Sequence, residues 1–144
     1  YSRQQKYDDA ISSYRRAIDL EPGLDEAYSA LGAAYFYKKE YNAALPWMQK
    51  RVAIAPDDSL RHCDLANVYF QLKRYDDAIA SYQKAIDNSY AFHEAWYSMG
   101  ICYIKMGKID EARKILKWLQ NKNNYLAVSL ERHLKEDVPG KAGK

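Results

Sequence analysis

Four columns of residues recur at intervals of 34 along this 144-residue chain, and no other feature restricts its folding so tightly. Tyr1, Tyr35, Tyr69 and Tyr103 form one column; Ala10, Ala44, Ala78 and Ala112 form a second. Tyr7, Tyr41 and Tyr75 form a third, which Ile109 continues. Tyr14, Met48, Tyr82 and Leu116 form a fourth, always large and apolar or aromatic. Pro22 and Pro56 are again 34 apart, and Tyr7–Asp19 (YDDAISSYRRAID) returns as Tyr75–Asp87 (YDDAIASYQKAID) with ten of thirteen positions identical. A period of this length marks a repeat architecture, in which one unit is copied and stacked so that each copy covers its neighbour's apolar face.

Within a period the apolar spacing is helical. Ala10, Tyr14, Ala17 and Ile18 fall on one helix face, and Ala78, Tyr82, Ala85 and Ile86 repeat the pattern. The other half of the period reads Tyr28, Leu31, Tyr35 in one copy and Trp96, Met99, Tyr103 in another. Gly32, Ala66 and Gly100 are all small, which lets two helices approach toward the close end of the packing range. Pro22 and Pro56 end the second helix of their periods, because proline cannot continue a helix and restricts the residue before it. Each period is therefore two amphipathic helices joined by a short turn, and the fold class is all-α.

The chain resembles the tetratricopeptide repeat (TPR) family. The residues that carry the resemblance are Tyr28, Leu31, Gly32, Tyr35, Ala44 and Pro56, then Leu65, Tyr69, Ala78, Tyr82 and Ala85, then Trp96, Met99, Gly100, Tyr103 and Ala112. The resemblance implies a right-handed α-solenoid of antiparallel helix pairs over roughly residues 1–121. In that frame residues 1–24 hold the end of a first helix and a complete second helix. Full repeats follow at 25–58, 59–92 and 93–122. Leu126, Leu130 and Leu134 then predict a capping helix over 124–137, with Glu131, Arg132, Lys135 and Glu136 on its wet side. Residues 1–137 are read as one domain and 138–144 (VPGKAGK) as a disordered tail.

Three residues depart from the pattern. Arg51 stands where Ala17 and Ala85 stand, His62 stands where Tyr28 and Trp96 stand, and Pro46 falls inside the start of a second helix. They cluster at one junction, where looser packing or altered twist is expected.

Composition excludes several functions. The net charge of +3 divides into +2 over residues 121–144 (Lys122, Arg132, Lys135, Lys141 and Lys144 against Glu131, Glu136 and Asp137) and +1 elsewhere, so the body lacks the basic footprint of a nucleic-acid binder. No apolar run approaches the ~20 residues that span a bilayer, so no membrane insertion is expected. No signal peptide is visible. The chain opens on Tyr1 rather than Met, however, so an N-terminal truncation is an open reading, and cytoplasmic is only the default location. Cys63 and Cys102 would lie on neighbouring first helices five residues out of phase, roughly 7 Å along the axis, so no disulfide is expected. Metal-ligand spacings, a phosphate loop and a nucleophile elbow are all missing. Asp8-Asp9 and Asp76-Asp77 fall at matching helix starts, where acids complement the helix dipole. No catalytic residue, cofactor or metal is therefore expected, and the chain reads as a non-enzyme.

What remains is a binding surface. The resemblance implies a concave groove lined by the first helix of each repeat, carried here by Glu26, Ser29, Ala30, Ala33 and Tyr37, then Leu60, Cys63, Asp64, Asn67, Phe70 and Gln71, then Glu94, Tyr97, Ser98, Ile101, Ile104 and Lys105. Asn67 can grip an extended backbone. Tyr37, Phe70, Tyr97, Ile101 and Ile104 would receive apolar side chains. One subfamily clamps the C-terminal carboxylate of heat-shock chaperones with cations and asparagines. The matching positions here are Ser29, Ala33, Asp64, Glu94 and Ser98, which would repel a carboxylate. Glu26, Asp64 and Glu94 against the single cation Lys105 instead favour an apolar or basic segment. The expectation is a protein–protein interaction scaffold. The alternatives are a self-associating module, joining through the half-repeat face of Ala10, Tyr14 and Ala17, or the docking domain of a longer enzyme or regulatory chain. Pro46-Trp47-Met48 is a weaker outer surface, read mainly as packing. Of the 14 tyrosines, ten occupy repeat columns as scaffold, Tyr90 stands in the proline column and Tyr125 opens the terminal helix. Only Tyr37 and Tyr97 are left to meet a partner.

Overall fold

The computed structural model describes residues 3–89 and 92–137. Tyr1, Tyr90 and the tail expected at 138–144 lie outside the described residues. Eight helices and no strand are found among those described: α1 (Arg3–Leu20), α2 (Asp25–Tyr37), α3 (Tyr41–Ile54), α4 (Ser59–Gln71), α5 (Tyr75–Asn88), α6 (His93–Lys105), α7 (Ile109–Asn121) and α8 (Leu126–Glu136). Each helix packs on the next in sequence, and α8 rests on both α6 and α7. The fold is an all-α solenoid of stacked helix pairs, and none of these helices is long and apolar enough to cross a membrane.

The turn inside each pair follows from one backbone device. Lys39, Lys73 and Gly107 all adopt positive φ, near 64°, 59° and 74°, and each stands 34 residues after the last. A left-handed residue at a helix end lets the chain double back and satisfies the last carbonyls. Accordingly, the backbone N–H groups of Glu40, Arg74 and Lys108 donate to the carbonyls of Tyr35, Tyr69 and Tyr103. Lysine pays a steric cost at such a φ that glycine avoids.

The first copy departs from this scheme. Gln5 occupies the corresponding position, yet α1 runs unbroken from Arg3 through it to Leu20. The end of a first helix expected at the start of the chain is therefore not a separate element. A corollary is that Asp8 and Asp9 do not cap a helix: they lie inside α1, whereas Asp76 and Asp77 do occupy the first turn of α5. Asp8 instead pairs with Lys38 of α2 at 2.6 Å, and Glu40 joins at 2.7 Å. Hydrogen bonds to Asp8 and then Glu40 push the Lys38 pKa up to about 12.

The core divides into two clusters. Ile11, Leu31, Ala34, Tyr35, Ala44, Met48, Leu65 and Val68 bind α1 to α4. The larger cluster runs from Cys63 and Ala66 through Tyr82, Ala85 and Met99 to Leu119 and Leu130, and so ties α4 to the cap α8. The glycine column has a packing reason. A Cβ on Gly32 would meet Met48 Cε at 2.9 Å, and one on Gly100 would meet Leu130 Cδ2 at 3.0 Å.

The junction where the three departures cluster carries several polar contacts. Arg61 pairs with Asp25 at 2.7 Å and Asp58 at 3.2 Å, and donates to the Arg51 carbonyl at 3.0 Å. Asp58 caps α4 by accepting from the Leu60 and Arg61 backbone N–H groups. Burial opposes ionisation of Asp58, but those bonds and the Arg61 guanidinium hold its carboxyl below the ordinary value. His62 keeps the bond of the residue it replaces. Tyr28 donates its hydroxyl to the Pro22 carbonyl at 2.6 Å, and His62 Nε2 donates to the Pro56 carbonyl at 2.6 Å. Pro46 sits in the second turn of α3, which continues past it to Ile54.

Candidate functional site

Two recesses open side by side on the face built by α2, α4, α6 and α8, and Asn67 lines both. The first, about 270 Å³, is lined by Ser29, Ala33, Phe36 and Tyr37 of α2, Met48 and Arg51 of α3, and Asp64 and Asn67 of α4. The second, about 260 Å³, is lined by Asn67, Phe70 and Gln71 of α4, Tyr82 of α5, Tyr97, Ser98 and Ile101 of α6, and His133 of α8.

Asn67 is fixed from behind. Tyr82 reaches from the second helix of its pair and donates its hydroxyl to Asn67 Oδ1 at 2.5 Å. That bond takes one of the two lone pairs of the amide oxygen, and the N–H₂ end makes no hydrogen bond among the described residues. Burial holds the Tyr82 hydroxyl far above the ordinary phenol pKa, so it stays a donor. Asn67 therefore has its N–H₂ donors available to a passing backbone, with one of its two acceptor sites held by Tyr82.

The recesses differ in chemistry. Arg51 enters the first from α3 and pairs with Asp64 Oδ2 at 2.8 Å, while its Nη1 also lies 3.8 Å from Met48 Sδ. The Arg51 side chain is 11% exposed and Asp64 34%, so the carboxylate lies over the guanidinium and meets solvent first. Arg51 Nε is buried and makes no hydrogen bond among the described residues. Tyr37, 66% exposed, closes one side with its ring stacked on Tyr7 at 6.2 Å and edge-on to Phe36 at 6.0 Å. The second recess carries aromatic and amide groups, and the Tyr97 ring sits 6.4 Å from His133. Burial raises the Tyr97 hydroxyl pKa. Asp137 beside His133 draws Lys105 to 3.8 Å.

Of the residues expected from sequence, Tyr37, Asp64, Asn67, Phe70, Gln71, Tyr97, Ser98 and Ile101 are brought together around the two recesses. Glu94 is exposed at the start of α6, and Lys105 is exposed at its end, and neither lines a recess. Two expectations need correction. Cys63 and Ile104 are buried in the large apolar cluster that ties α4 to α8, and so face the core rather than the groove. Burial, with Asp64 and Glu94 nearby, pushes the Cys63 thiol up to about 12, and burial does the same for Cys102. Both are free thiols held in the un-ionised, unreactive form. Among the described residues no group of acids, histidines and cysteines could hold a metal ion. Trp47 is half-buried and stacked on Tyr28 at 6.0 Å, with Lys50 over both rings.

Sequence reasoning missed Phe36, Met48, Arg51, Tyr82 and His133. Met48 and Tyr82 stand on a repeat column read as scaffold, and Phe36 and His133 had no part assigned to them. Arg51 alone carried a signal, as the charged residue in a column of alanines.

Comparison with known proteins fits this geometry. TPR-repeat family profiles match residues 1–38, 25–58 and 69–124, most of the chain between them. The chain belongs to the tetratricopeptide repeat family. A curated relative, protein bimA of Emericella nidulans, is 26% identical over 97 residues, covering 67% of this chain and 12% of that protein. Against the first curated relatives the chain spans only 7% to 22% of their length. Among solved structures, MamA superposes with a TM-score of 0.73 at 20% identity, covering 95% of both chains. The second TPR domain of human RPAP3, solved with an HSP70 peptide, superposes with a TM-score of 0.67 at 21% identity, covering 76% of this chain and 92% of that one. These tetratricopeptide structures share the fold, and RPAP3 carries its peptide ligand as its own property.

Proposed function

We propose that this chain is a non-catalytic protein-interaction scaffold that receives an extended segment of a partner along the face of α2, α4, α6 and α8. The observation that carries this reading is Asn67. One amide, anchored by Tyr82, presents its donors between two recesses of similar size, so a strand crossing it can bond through its backbone while placing side chains on either side. Relatives with this fold, RPAP3 bound to an HSP70 peptide among them, make a peptide partner a reasonable occupant. The chemistry of that occupant differs here. The chaperone-clamp positions hold Ser29, Ala33, Asp64, Glu94 and Ser98, and the one arginine at the first recess is already committed to Asp64. A free carboxylate therefore finds no unpaired cation at those positions, and an apolar or basic segment fits better.

The test is a quantitative pull-down with the wild-type chain, an Asn67→Ala/Tyr97→Ala variant, and Lys50→Ala on the outer face. Proteins retained by the wild type and by Lys50→Ala should be lost from the groove variant. Equal retention by all three would sink the reading.

A second reading has its own observation. Tyr14 and Leu20 of α1 are exposed, and Ala10 and Ala17 are only half-buried, so α1 offers a partly apolar face. Self-association through that face predicts a dimer in light scattering that Tyr14→Glu returns to monomer; a monomer at every concentration would dismiss it.

A further inference from the structure

The first recess contains a charge arrangement that the other repeats lack. Arg51 occupies the column held by Ala17 and Ala85, and Asp64 occupies the one held by Ala30 and Ser98, so the pair occurs at one repeat junction and not at the matching positions of the others. Arg51 spends Nη1 on Asp64 Oδ2, while Asp64 Oδ1 accepts no hydrogen bond among the described residues. An anion arriving here would have to displace Asp64 to reach a guanidinium that is 11% exposed. A cation would meet Asp64 directly. The walls also suit a long basic side chain: Ala33, Met48 and Phe36 offer apolar surface to its stem, and the exposed Tyr37 ring stands at the rim for its charge.

We infer that the recess between α2 and α4 takes a lysine or arginine side chain of the partner, with Arg51 as the positioning residue that holds Asp64 turned to the groove. This rests on the groove reading above and adds the identity of one anchor. The second recess, lined by Phe70, Tyr82, Tyr97 and Ile101, takes an apolar or aromatic side chain on the far side of Asn67. The partner segment is thus extended, basic on one side of the gripped peptide bond and apolar on the other.

The experiment is selection of a capped linear nonapeptide library on the purified chain, followed by fluorescence anisotropy with the selected peptides. The inference expects a lysine or arginine in them, and norleucine in its place should weaken binding by about tenfold, the loss of one charge-assisted hydrogen bond. Because that substitution is made in the peptide, it leaves the protein's fold untouched. On an Arg51→Met/Asp64→Asn variant, which removes both charges together, the same norleucine change should have no effect. Selected peptides that need Asn67, but show no basic preference or an acidic one, would overturn this inference and leave the groove reading standing. Failure to select any peptide, or binding indifferent to Asn67→Ala, would overturn both.

Discussion

Residues 7–19 and 75–87 are nearly the same sequence, yet they behave as different helices. In α5, Ala78 and Ala85 are fully buried and Tyr82 is 2% exposed, whereas in α1 the matching Ala10 and Ala17 are half-buried and Tyr14 is 37% exposed. The boundary differs too: α5 begins after the left-handed turn at Lys73, whereas α1 continues straight through Gln5. The copies differ less in sequence than in company. α5 is sandwiched between α4 and α6, while among the described helices the main partner of α1 is α2. The repeat motif therefore specifies which face is apolar, and the neighbours decide whether that face becomes core. Most helix stability in such stacks comes from packing rather than propensity.

This contrast can be broken most forcefully at the alanine column. Ala85→Arg would place an unpaired charge in a sealed contact and should cost on the order of 5 kcal/mol, whereas Ala17→Arg should change stability by under about 1 kcal/mol. Arg51 shows how one copy accommodates the charge, so adding Ser98→Asp to Ala85→Arg should recover part of the loss by rebuilding the Arg51–Asp64 pair one repeat later. Urea unfolding of the three variants measures this, and equal losses at positions 17 and 85 would contradict the contrast. Next in size, Tyr82→Ala should cost about 3–5 kcal/mol against under about 1 for Tyr14→Ala. Tyr82→Phe should keep most of the packing but release Asn67, so it lowers peptide affinity more than stability.

The smallest effect is a pH dependence confined to the packed half. Both thiols belong to the cluster spanning α4 to α8. Their folded pKa values stand near 12 against an ordinary 9.0, so above pH 9 the unfolded chain releases protons that the folded chain keeps. Stability is fully present below pH 9 and declines from there toward pH 12. The melting temperature of Cys63→Ala/Cys102→Ala should fall less steeply over that window than the wild type's, and parallel curves would show that the thiols do not titrate on unfolding.

How far the sequence could be read follows from the same contrast. The columns of Tyr35, Ala44 and Gly100 disclosed the helix pairs because packing at those positions is local and repeated. The faces carrying Tyr37, Asn67 and Tyr97 were legible for the same reason. Cys63 and Ile104 were not, because a few tens of degrees around a helix separate the groove from the seam between neighbouring helices. Arg51 was legible as an anomaly but not as a groove residue, since its backbone lies on a second helix and only its long side chain crosses to the recess. The turn missing at Gln5 could not be read from a motif that α1 shares with α5.

The central claim, that a partner segment crosses Asn67, is tested most directly by side-chain NMR of the ¹⁵N-labelled chain titrated with a selected peptide. The Asn67 amide resonances should shift at saturation, while the indole N–H signals of Trp47 and Trp118, away from both recesses, should hold still. Movement of the indoles with an unchanged Asn67 would place the partner elsewhere and contradict the account.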